Sequence, residues 1–314
     1  MATLSAEQIR AQDRRTTVRE IKRNTWAYVF ISPFYLLYAI FGMFPLIYGL
    51  WLSFHSWDGI SPMLWVGFEN YTRLFVDDIW WQTIYNTLWL FFVGTIPQLC
   101  LAFLLAFIIN STYIKGKDFY RAAYFMPIVA SGVAVALIFT SLFGERYGLL
   151  NYALSFFGVQ KIDWLGSATW LKPSIAIVTI WQWTGYTMII FLAGLQSINQ
   201  ELYEAARVDG AQTRDIFLRI TLPLMRPVIL FQVILSIIGA MQTFDIPVML
   251  AGGTQSSAPG GTGRAGLVAQ VILYWTAFKY GEFGYASAMA FVLFILIVAF
   301  SFMYNRWQGS NPTD

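Results

Sequence analysis

Charged residues, cysteine and histidine are scarce in this 314-residue sequence, which is 12% charged and has one cysteine and one histidine. Soluble domains carry about 25% charged residues, so this composition excludes an ordinary soluble fold. Cys100 cannot form a disulfide or a cysteine cluster within the chain, and its apolar surroundings, PQLCLAF, indicate a packed core thiol. His55 has no accompanying nucleophile or carboxylate pattern, so we interpret it as an interfacial histidine and predict no catalytic or metal-binding residue.

Nucleotide-binding motifs are also missing. No G-x-x-x-x-G-K-[ST] loop, which cradles nucleotide phosphates, occurs in the chain. The segment 261–266, GTGRAG, matches G-x-G-x-x-G, but it follows no predicted strand, and we interpret it as part of a flexible external loop. The chain is therefore not predicted to be an enzyme, and no cofactor is expected within it.

Long apolar runs dominate what remains, since 57% of the residues are hydrophobic. A helix needs roughly 20 apolar residues to cross a bilayer. Six runs reach that length and predict an all-α integral membrane protein with six transmembrane helices, at 26–54, 84–109, 119–143, 173–195, 228–250 and 283–304. The run at 265–278 is too short to cross, and we predict an external or re-entrant helix there, and a surface helix in LLNYALSFF.

Basic residues favour one side of these spans. Fourteen of the 20 lysines and arginines fall in the first 25 residues, the second loop, the fourth loop and the tail. Cytoplasmic loops collect Lys and Arg, so a multi-pass protein with both termini in the cytoplasm is predicted. The segments 1–25 and 306–314 become a basic N-terminal segment and a cytoplasmic tail around a six-span domain at 26–305.

One polar stretch, ELYEAARVDGAQTRDIFLRITLPLMRP at 201–227, lies between the fourth and fifth spans. Each charge at mid-bilayer costs roughly 2.5–3.5 kcal/mol, which places the stretch in the cytoplasm. Asn199 can cap a helix from Gln200 to Arg207, Gly210 can supply a turn, and a second helix can run over 211–220 and stop before Pro223. An amphipathic connector and a docking element for a cytoplasmic partner both fit this pattern.

The same stretch resembles the EAA motif of permease subunits in binding-protein-dependent ATP-binding-cassette importers. The matching residues are Glu204, Ala205, Ala206, Gly210, Ile220, Leu222 and Pro223. FISPFYLLYAIFGMFPLIYGLWLSF, VGFENYTRLF, LAGLQSINQELYEAARVDGA and FGYASA resemble the sugar-importing branch, whereas AGGTQSSAPGGTG departs from its shorter turn. The resemblance covers nearly the whole chain from about Trp26.

This resemblance implies a type I importer permease of the prokaryotic inner membrane that moves a carbohydrate into the cytoplasm. The coupling loop at 198–226 would seat in a separate ATPase, which binds ATP and Mg. Implied partners are a second homologous permease, two cytoplasmic ATPases, an extracytoplasmic sugar-binding protein and membrane lipid, but no nucleic acid. Glycerol phosphate or a polyamine remains an alternative cargo. An ion-coupled carrier is a second alternative, although the spans hold almost no ionisable residues.

Candidate substrate contacts lie in the fourth and fifth spans. TIWQWTGYTM offers aromatic faces and amides of the kind that bind sugars, and a small-residue stripe follows at helical spacing in span five. The predicted path residues are Tyr186, Ser236, Gly239 and Thr243, a placement that the family resemblance also implies. Asp245, near the outer end of span five, is interpreted either as a hydrogen-bond acceptor facing the mouth or as a contact for a sugar hydroxyl.

Overall fold

The computed structural model describes residues 23–111, 114–254, 256 and 258–309, except for the side chains of 307–309. Within these residues the chain is mostly helical, with connecting loops and one antiparallel hairpin, which confirms the all-α prediction. The basic residues Arg10, Arg14, Arg15, Arg19 and Lys22, which supported the predicted topology, lie outside the described part.

Thirteen helices and two strands are distinguished in the described residues, with each π-helical turn counted in the helix that it adjoins and the short 3₁₀ turn Thr262–Arg264 left out. The helices are α1 Thr25–Leu52, α2 Glu69–Val76, α3 Asp78–Asn110, α4 Lys117–Val129, α5 Gly132–Leu142, α6 Leu149–Ser155, α7 Ala168–Gln196, α8 Gln200–Val208, α9 213–224, α10 Arg226–Met241, α11 Asp245–Leu250, α12 269–279 and α13 Phe283–Gly309. The strands are β1 His55–Ser56 and β2 Leu64–Trp65, with His55 opposite Trp65.

Five segments of the described chain are long and apolar enough to cross a membrane: α1, α3, α7, α10 with α11, and α13. The helices α4 and α5 are bent by 96° at the break between them, and they make a sixth segment if the pair counts as one span. The predicted span over 119–143 is therefore a broken one, made of two helices. Ala130 and Ser131 are extended, and the Ser131 hydroxyl caps α5 by accepting from Ala134 N at 3.2 Å, so a new helix starts there.

The fifth predicted span, 228–250, is also interrupted. Helix α10 ends at Met241 and α11 begins at Asp245, leaving Gln242, Thr243 and Phe244 outside helical structure. Pro247 explains the break, because it has no amide hydrogen for the Thr243 carbonyl and its ring would collide with that carbonyl in a continuous helix.

Three π-helical turns precede prolines in the long helices. The turns Ala39–Met43, Phe91–Thr95 and Phe217–Thr221 each end two residues before Pro45, Pro97 and Pro223. A proline inside a helix removes one hydrogen bond and pushes away the preceding carbonyl. The wider i to i+5 turn accommodates this loss, so the helices continue through the prolines.

Two hydrophobic cores hold the bundle together. The smaller core joins the second half of α3 to the second half of α7 around Met225, which is fully buried. The larger one joins α3, α5, α7, α11, α12 and α13. Helix α1 lies at the periphery, and Leu52 is its one buried residue.

The hairpin, α2 and the start of α13 meet at one end of the bundle, here called the hairpin end. Asn70 of α2 donates to Ser53 O and His55 O at 2.8 and 2.9 Å. His55 is buried and its ring lies 4.0 Å from that of Trp51, so it has a packing role.

The glycine-rich loop at this end is packed in its second half, contrary to the predicted flexible loop. Asn86 donates to the carbonyls of Arg264 and Leu267, both at 2.9 Å, and Ala269 N donates to the Thr87 hydroxyl at 3.0 Å. The predicted helix over 265–278 begins four residues later, as α12, and continues as a π-helical turn, Trp275–Lys279. The predicted surface helix is α6.

The prediction of a packed core thiol is wrong for Cys100. Its side chain is exposed in this chain and faces an apolar groove of about 770 Å³ between α3, α10 and α13. An apolar run in a membrane helix has a lipid-facing or partner-facing side as well as a buried side, which the sequence does not distinguish.

Candidate functional site

A cavity of about 650 Å³, the first cavity, lies where α7 and α10 meet the two helix breaks. The break between α4 and α5 contributes Ala130 and Gly132, and the break after α10 contributes Gln242, Thr243 and Phe244. The interruptions of the third and fifth spans therefore shape one site.

The four predicted path residues, Tyr186, Ser236, Gly239 and Thr243, all line this cavity. Trp183 and Gln182 line it as well, and the Trp183 ring lies edge-on to Tyr186 with centroids 6.0 Å apart. Trp181 belongs to the same sequence stretch but points elsewhere, against Phe139 at 5.2 Å. Helical phase thus divides the aromatic residues of α7 between cavity and packing.

Three buried polar side chains in the wall of the first cavity form hydrogen bonds between helices. Gln98 Nε2 donates to the Thr187 hydroxyl at 2.9 Å and to Trp183 O at 3.1 Å, and Gln232 Nε2 donates to the same hydroxyl at 3.3 Å. These contacts connect α3, α7 and α10. Burying such amides is costly without hydrogen bonds, so the network specifies how the three helices pack.

Gln232 is only partly satisfied within this network. Its Oε1 atom is buried and accepts no hydrogen bond from the described chain. Sequence reasoning missed Gln98 and Gln232 as candidates, although an amide inside an apolar membrane run is itself a signal that could have identified them.

Asp245 lies in the cavity wall, where α11 begins. A Cβ placed on Gly132 would be 2.9 Å from the Asp245 carboxylate, so the two helix starts are in close contact. Neither predicted role is established by this placement, but the side chain is exposed and accepts no hydrogen bond from the described residues.

The second candidate region is the coupling surface, residues 198–226. Its first helix, α8, follows the prediction: Asn199 Oδ1 caps it by accepting from Glu201 N at 3.0 Å, and it ends at Val208. Gly210 then adopts a φ of +79°, and Ala211 N donates back to Ala206 O at 2.9 Å. A glycine is favoured there because this backbone region strains other residues.

The second helix of the coupling surface differs from its prediction. It begins at Thr213, two residues late, and runs through a π-helical turn past Pro223 to Leu224 instead of stopping before the proline. Phe217 packs this helix against α3, and its ring centroid lies 5.1 Å from that of Phe107. Met225 contacts α7 beside Gly194.

The EAA-motif residues divide between two faces. Glu204, Ala205, Gly210, Leu222 and Pro223 are exposed, and Ile220 is half-buried. Ala206 faces inward at 8% exposure, so its place is in the packing of α8.

The outer face of the coupling surface also carries apolar side chains. Leu202 is 47% exposed and Val208 is 88% exposed. Tyr203 turns inward instead, where its hydroxyl accepts from Thr221 at 3.3 Å. The outer face is thus a mixed apolar and charged surface that the described part of the chain does not cover.

Comparison with known proteins identifies relatives that match most of this chain. The family model described as "Binding-protein-dependent transport system inner membrane component" matches residues 98–308. The lactose transport system permease protein LacF of Rhizobium radiobacter is 34% identical over 284 residues, covering 89% of this chain and 92% of the relative.

Two solved structures have a similar fold. One is a bacterial ABC transporter involved in the import of the acidic polysaccharide alginate, with a TM-score of 0.82 and 26% identity over 94% of this chain and 99% of the other. The second is a bacterial alginate ABC transporter in complex with an alginate pentasaccharide-bound periplasmic protein, with a TM-score of 0.79 and 25% identity over 92% and 95% of the two chains.

Proposed function

The chain belongs to the family of binding-protein-dependent transport system inner membrane components, and from this we propose that it forms part of the pathway by which an ATP-driven importer moves a carbohydrate into the cytoplasm. The observation that carries the cargo assignment is the first cavity, whose wall combines aromatic rings with hydrogen-bonding groups that are uncharged except for Asp245. The named cargoes of the related permease and of the similar structures, lactose and alginate, support the same class.

A sugar ring presents C–H groups on its faces and hydroxyls at its rim. Trp183 and Tyr186 offer ring faces that can stack on the C–H groups of the sugar. Ser236, Thr243 and Asp245 offer hydrogen-bonding groups for its hydroxyls. No hydrogen bond from the described chain occupies the Asp245 carboxylate, so it is available as an acceptor.

The lining argues against the alternative cargoes. Among the described residues that line it there is no lysine or arginine to offer a counter-charge to glycerol phosphate, and a polyamine would meet Asp245 as the single carboxylate. Ion-coupled transport also lacks support, because such carriers place paired ionisable residues along the path.

The coupling surface is proposed to receive one of two cytoplasmic ATPases, which bind ATP and Mg. Phe217 and Met225 connect it to α3 and α7, and its second helix leads directly into α10. Closure of the ATPase pair can therefore move the helices that line the first cavity. The differential affinity of the ATPases for the two states, set by ATP, supplies the energy.

The remaining partners follow from this arrangement. A second homologous permease would complete the open side of the cavity, and an extracytoplasmic sugar-binding protein would dock at the hairpin end. The alginate-loaded periplasmic protein in complex with the similar transporter supports a binding protein as a partner. Both termini of this chain are then proposed to lie in the cytoplasm of a bacterial cell with an inner membrane.

Co-purification tests the assembly. The chain is tagged, extracted in mild detergent and compared with a Glu204→Lys variant, which reverses a charge on the exposed face of α8. We expect an ATPase and a second permease with the wild type, and loss of the ATPase in the variant. Glu145→Lys, at an exposed position outside the coupling surface, is the control. A chain that purifies alone and transports without ATP would contradict the proposal.

The cargo is tested by uptake into proteoliposomes that contain the whole complex and its binding protein, with lactose, trehalose and arabino-oligosaccharides as probes. Tyr186→Ala removes a ring from the first cavity, and Trp181→Ala removes a neighbouring ring outside it. We expect the first to reduce uptake about tenfold, as loss of an aromatic contact of about 1.4 kcal/mol predicts, and the second to leave uptake near wild type. Equal effects of the two variants on uptake would show that the first cavity is not part of the sugar pathway.

A further inference from the structure

A second cavity, of about 590 Å³, lies between α12, α13 and the break after α10. It shares Gln242 and Phe244 with the first cavity, so the two form neighbouring compartments on either side of the break. Each has the volume of an ordinary small-molecule pocket, about 300–1,000 Å³.

Aromatic rings follow one another through the second cavity. Phe244 and Tyr274 have centroids 5.3 Å apart, Tyr274 and Phe278 are also 5.3 Å apart, and Phe278 and Phe283 are 5.7 Å apart. The series continues to Trp57, 5.8 Å from Phe283, in the loop of the hairpin. Five consecutive rings thus lead from the hairpin end to the first cavity.

Hydrogen bonds position the two rings at the hairpin end of this series. Phe283 N donates to Trp57 O at 3.0 Å, and the Trp57 indole donates to Ser61 O at 2.9 Å. Phe278, in the middle of the series, is 67% exposed, so one face of the series is open.

Polar side chains accompany the rings. Gln242, Gln270 and Ser287 line the second cavity, and none of them makes a side-chain hydrogen bond within the described part of the chain. A surface that serves only lipid contact gains nothing from unpaired amides, because each costs free energy in hydrocarbon. Rings and free hydrogen-bonding groups together fit a ligand with apolar faces and a polar rim.

We propose that Trp57, Phe283, Phe278, Tyr274 and Phe244 form an aromatic track along which a saccharide chain enters the first cavity from the hairpin end. Stacking on a ring face is tolerant of orientation, so a sugar unit can pass from one ring to the next without a deep minimum. The track thereby favours a substrate of more than one sugar unit, with one unit in each cavity. This inference rests on the proposed carbohydrate function.

Water access to the track is tested with single cysteines in the assembled complex. Cys100→Ser removes the one native cysteine, and Phe278→Cys or Phe41→Cys then places a thiol on the track or on the exposed face of α1. A charged, membrane-impermeant methanethiosulfonate reacts only with a hydrated thiol. We expect it to modify Phe278→Cys at least about tenfold faster than Phe41→Cys. Equal slow rates would place Phe278 against lipid or another subunit and overturn the proposal.

Protection by sugar then connects the track to cargo. The wild-type complex is first assayed for uptake of lactose, trehalose and arabino-oligosaccharides. If one is imported, it is expected to slow the labelling of Phe278→Cys, and absence of protection by that sugar would overturn the track. Import of none would count against the proposed carbohydrate function instead, while the labelling rates still decide whether the track is open to water.

Ring shape is tested separately from apolar bulk. Phe278→Leu keeps an apolar side chain without a flat face, and Phe278→Trp keeps the face. We expect Phe278→Leu to raise the KM for the imported sugar about three- to tenfold with little change in kcat, and Phe278→Trp to restore it. An unchanged KM in the leucine variant would show that the rings only pack.

Discussion

At the hairpin end, side chains bind backbone groups from distant parts of the chain, whereas the coupling surface is attached by a few apolar contacts. Tyr285 of α13 donates to Asp77 Oδ2 at 2.7 Å, Arg73 pairs with Glu282 at 2.9 Å, and Asn70 bridges the carbonyls of Ser53 and His55. On the coupling surface, Phe217 packs against α3, and the one ion pair described there, Asp215 with Arg219 at 3.6 Å, lies within a single turn.

This difference indicates that the hairpin end is braced by the chain's own hydrogen bonds, whereas the coupling surface is held more loosely and leaves apolar side chains exposed. Dense long-range hydrogen bonding rigidifies the hairpin end, so it can act as the fixed frame for the aromatic track. The coupling surface leaves Leu202 and Val208 exposed, and a second protein would cover them. Substitutions at the hairpin end are therefore expected to lower stability, whereas substitutions on the coupling surface are expected to impair coupling.

The largest effect is expected for Gly284→Ala at the hairpin end. A Cβ on Gly284 would collide with the backbone carbonyl of His55, which the hairpin cannot move without losing its bond from Asn70. Overpacking against backbone costs about 1–3 kcal/mol or more, so little monodisperse protein is expected in size-exclusion chromatography. Gly239→Ala is the control, because nothing lies within 4 Å of its Cβ position. Equal yields of the two would contradict a rigid hairpin end.

Gly210→Trp is expected to abolish coupling while the membrane domain stays folded. Gly210 has a φ of +79° and open space around it, so tryptophan strains the turn without meeting a neighbour. Uptake is expected to fall while ATP hydrolysis by the complex continues. Gly116→Trp is a matched control, since Gly116 also has a positive φ, +69°, and open space but lies outside the coupling surface. Normal uptake in Gly210→Trp would show that this turn has no part in coupling.

Tyr285→Phe addresses the hairpin end more gently, since it deletes one hydroxyl and keeps the ring beneath Arg73. A hydrogen bond to a charged group contributes about 1.5–3 kcal/mol, so the melting temperature is expected to fall by several degrees in a thermal-shift assay. Tyr280→Phe, at a 56% exposed tyrosine, provides the comparison. Retention of the ATPase in both variants would show that the two ends act independently, whereas its loss in Tyr285→Phe alone would reveal coupling between them.

The parts of the molecule that the sequence predicted well are those encoded locally. The apolar runs, the Asn199 cap and the turn at Gly210 depend on neighbouring residues, and the structure has each of them, with the third run as the bent pair α4–α5. The four predicted path residues line one cavity, because helical spacing places Ser236 and Gly239 on one face of α10 and the break after α10 brings Thr243 to the same wall as Tyr186.

Other features depend on contacts between distant segments. The packed glycine-rich loop is fixed by Asn86, more than 170 residues earlier in the chain, and no local pattern reveals this bond. The breaks at Ser131 and before Pro247 did have local signals, but hydropathy alone joined the segments across them. Cys100 shows the same limit, because composition does not reveal which side of a membrane helix faces a neighbour.

The smallest effect is expected at the rim of the hairpin end, where Asp58 organises the turn that carries Trp57. Its carboxylate accepts from Ile60 N at 2.9 Å, and from Ser61 N and the Ser61 hydroxyl, both at 2.7 Å. These bonds, led by that from Ile60, lower the pKa of Asp58 from 3.8 to about 2. Because the folded state holds the proton less tightly, the contribution to stability is full above pH 3.8 and is lost as the pH falls through about 2.

Asp58→Asn is therefore expected to lower the melting temperature slightly at neutral pH, by a difference that shrinks below pH 4 in a thermal-shift titration. A difference that stays constant down to the lowest pH at which the complex remains folded would mean that the charge of Asp58 does not hold this turn.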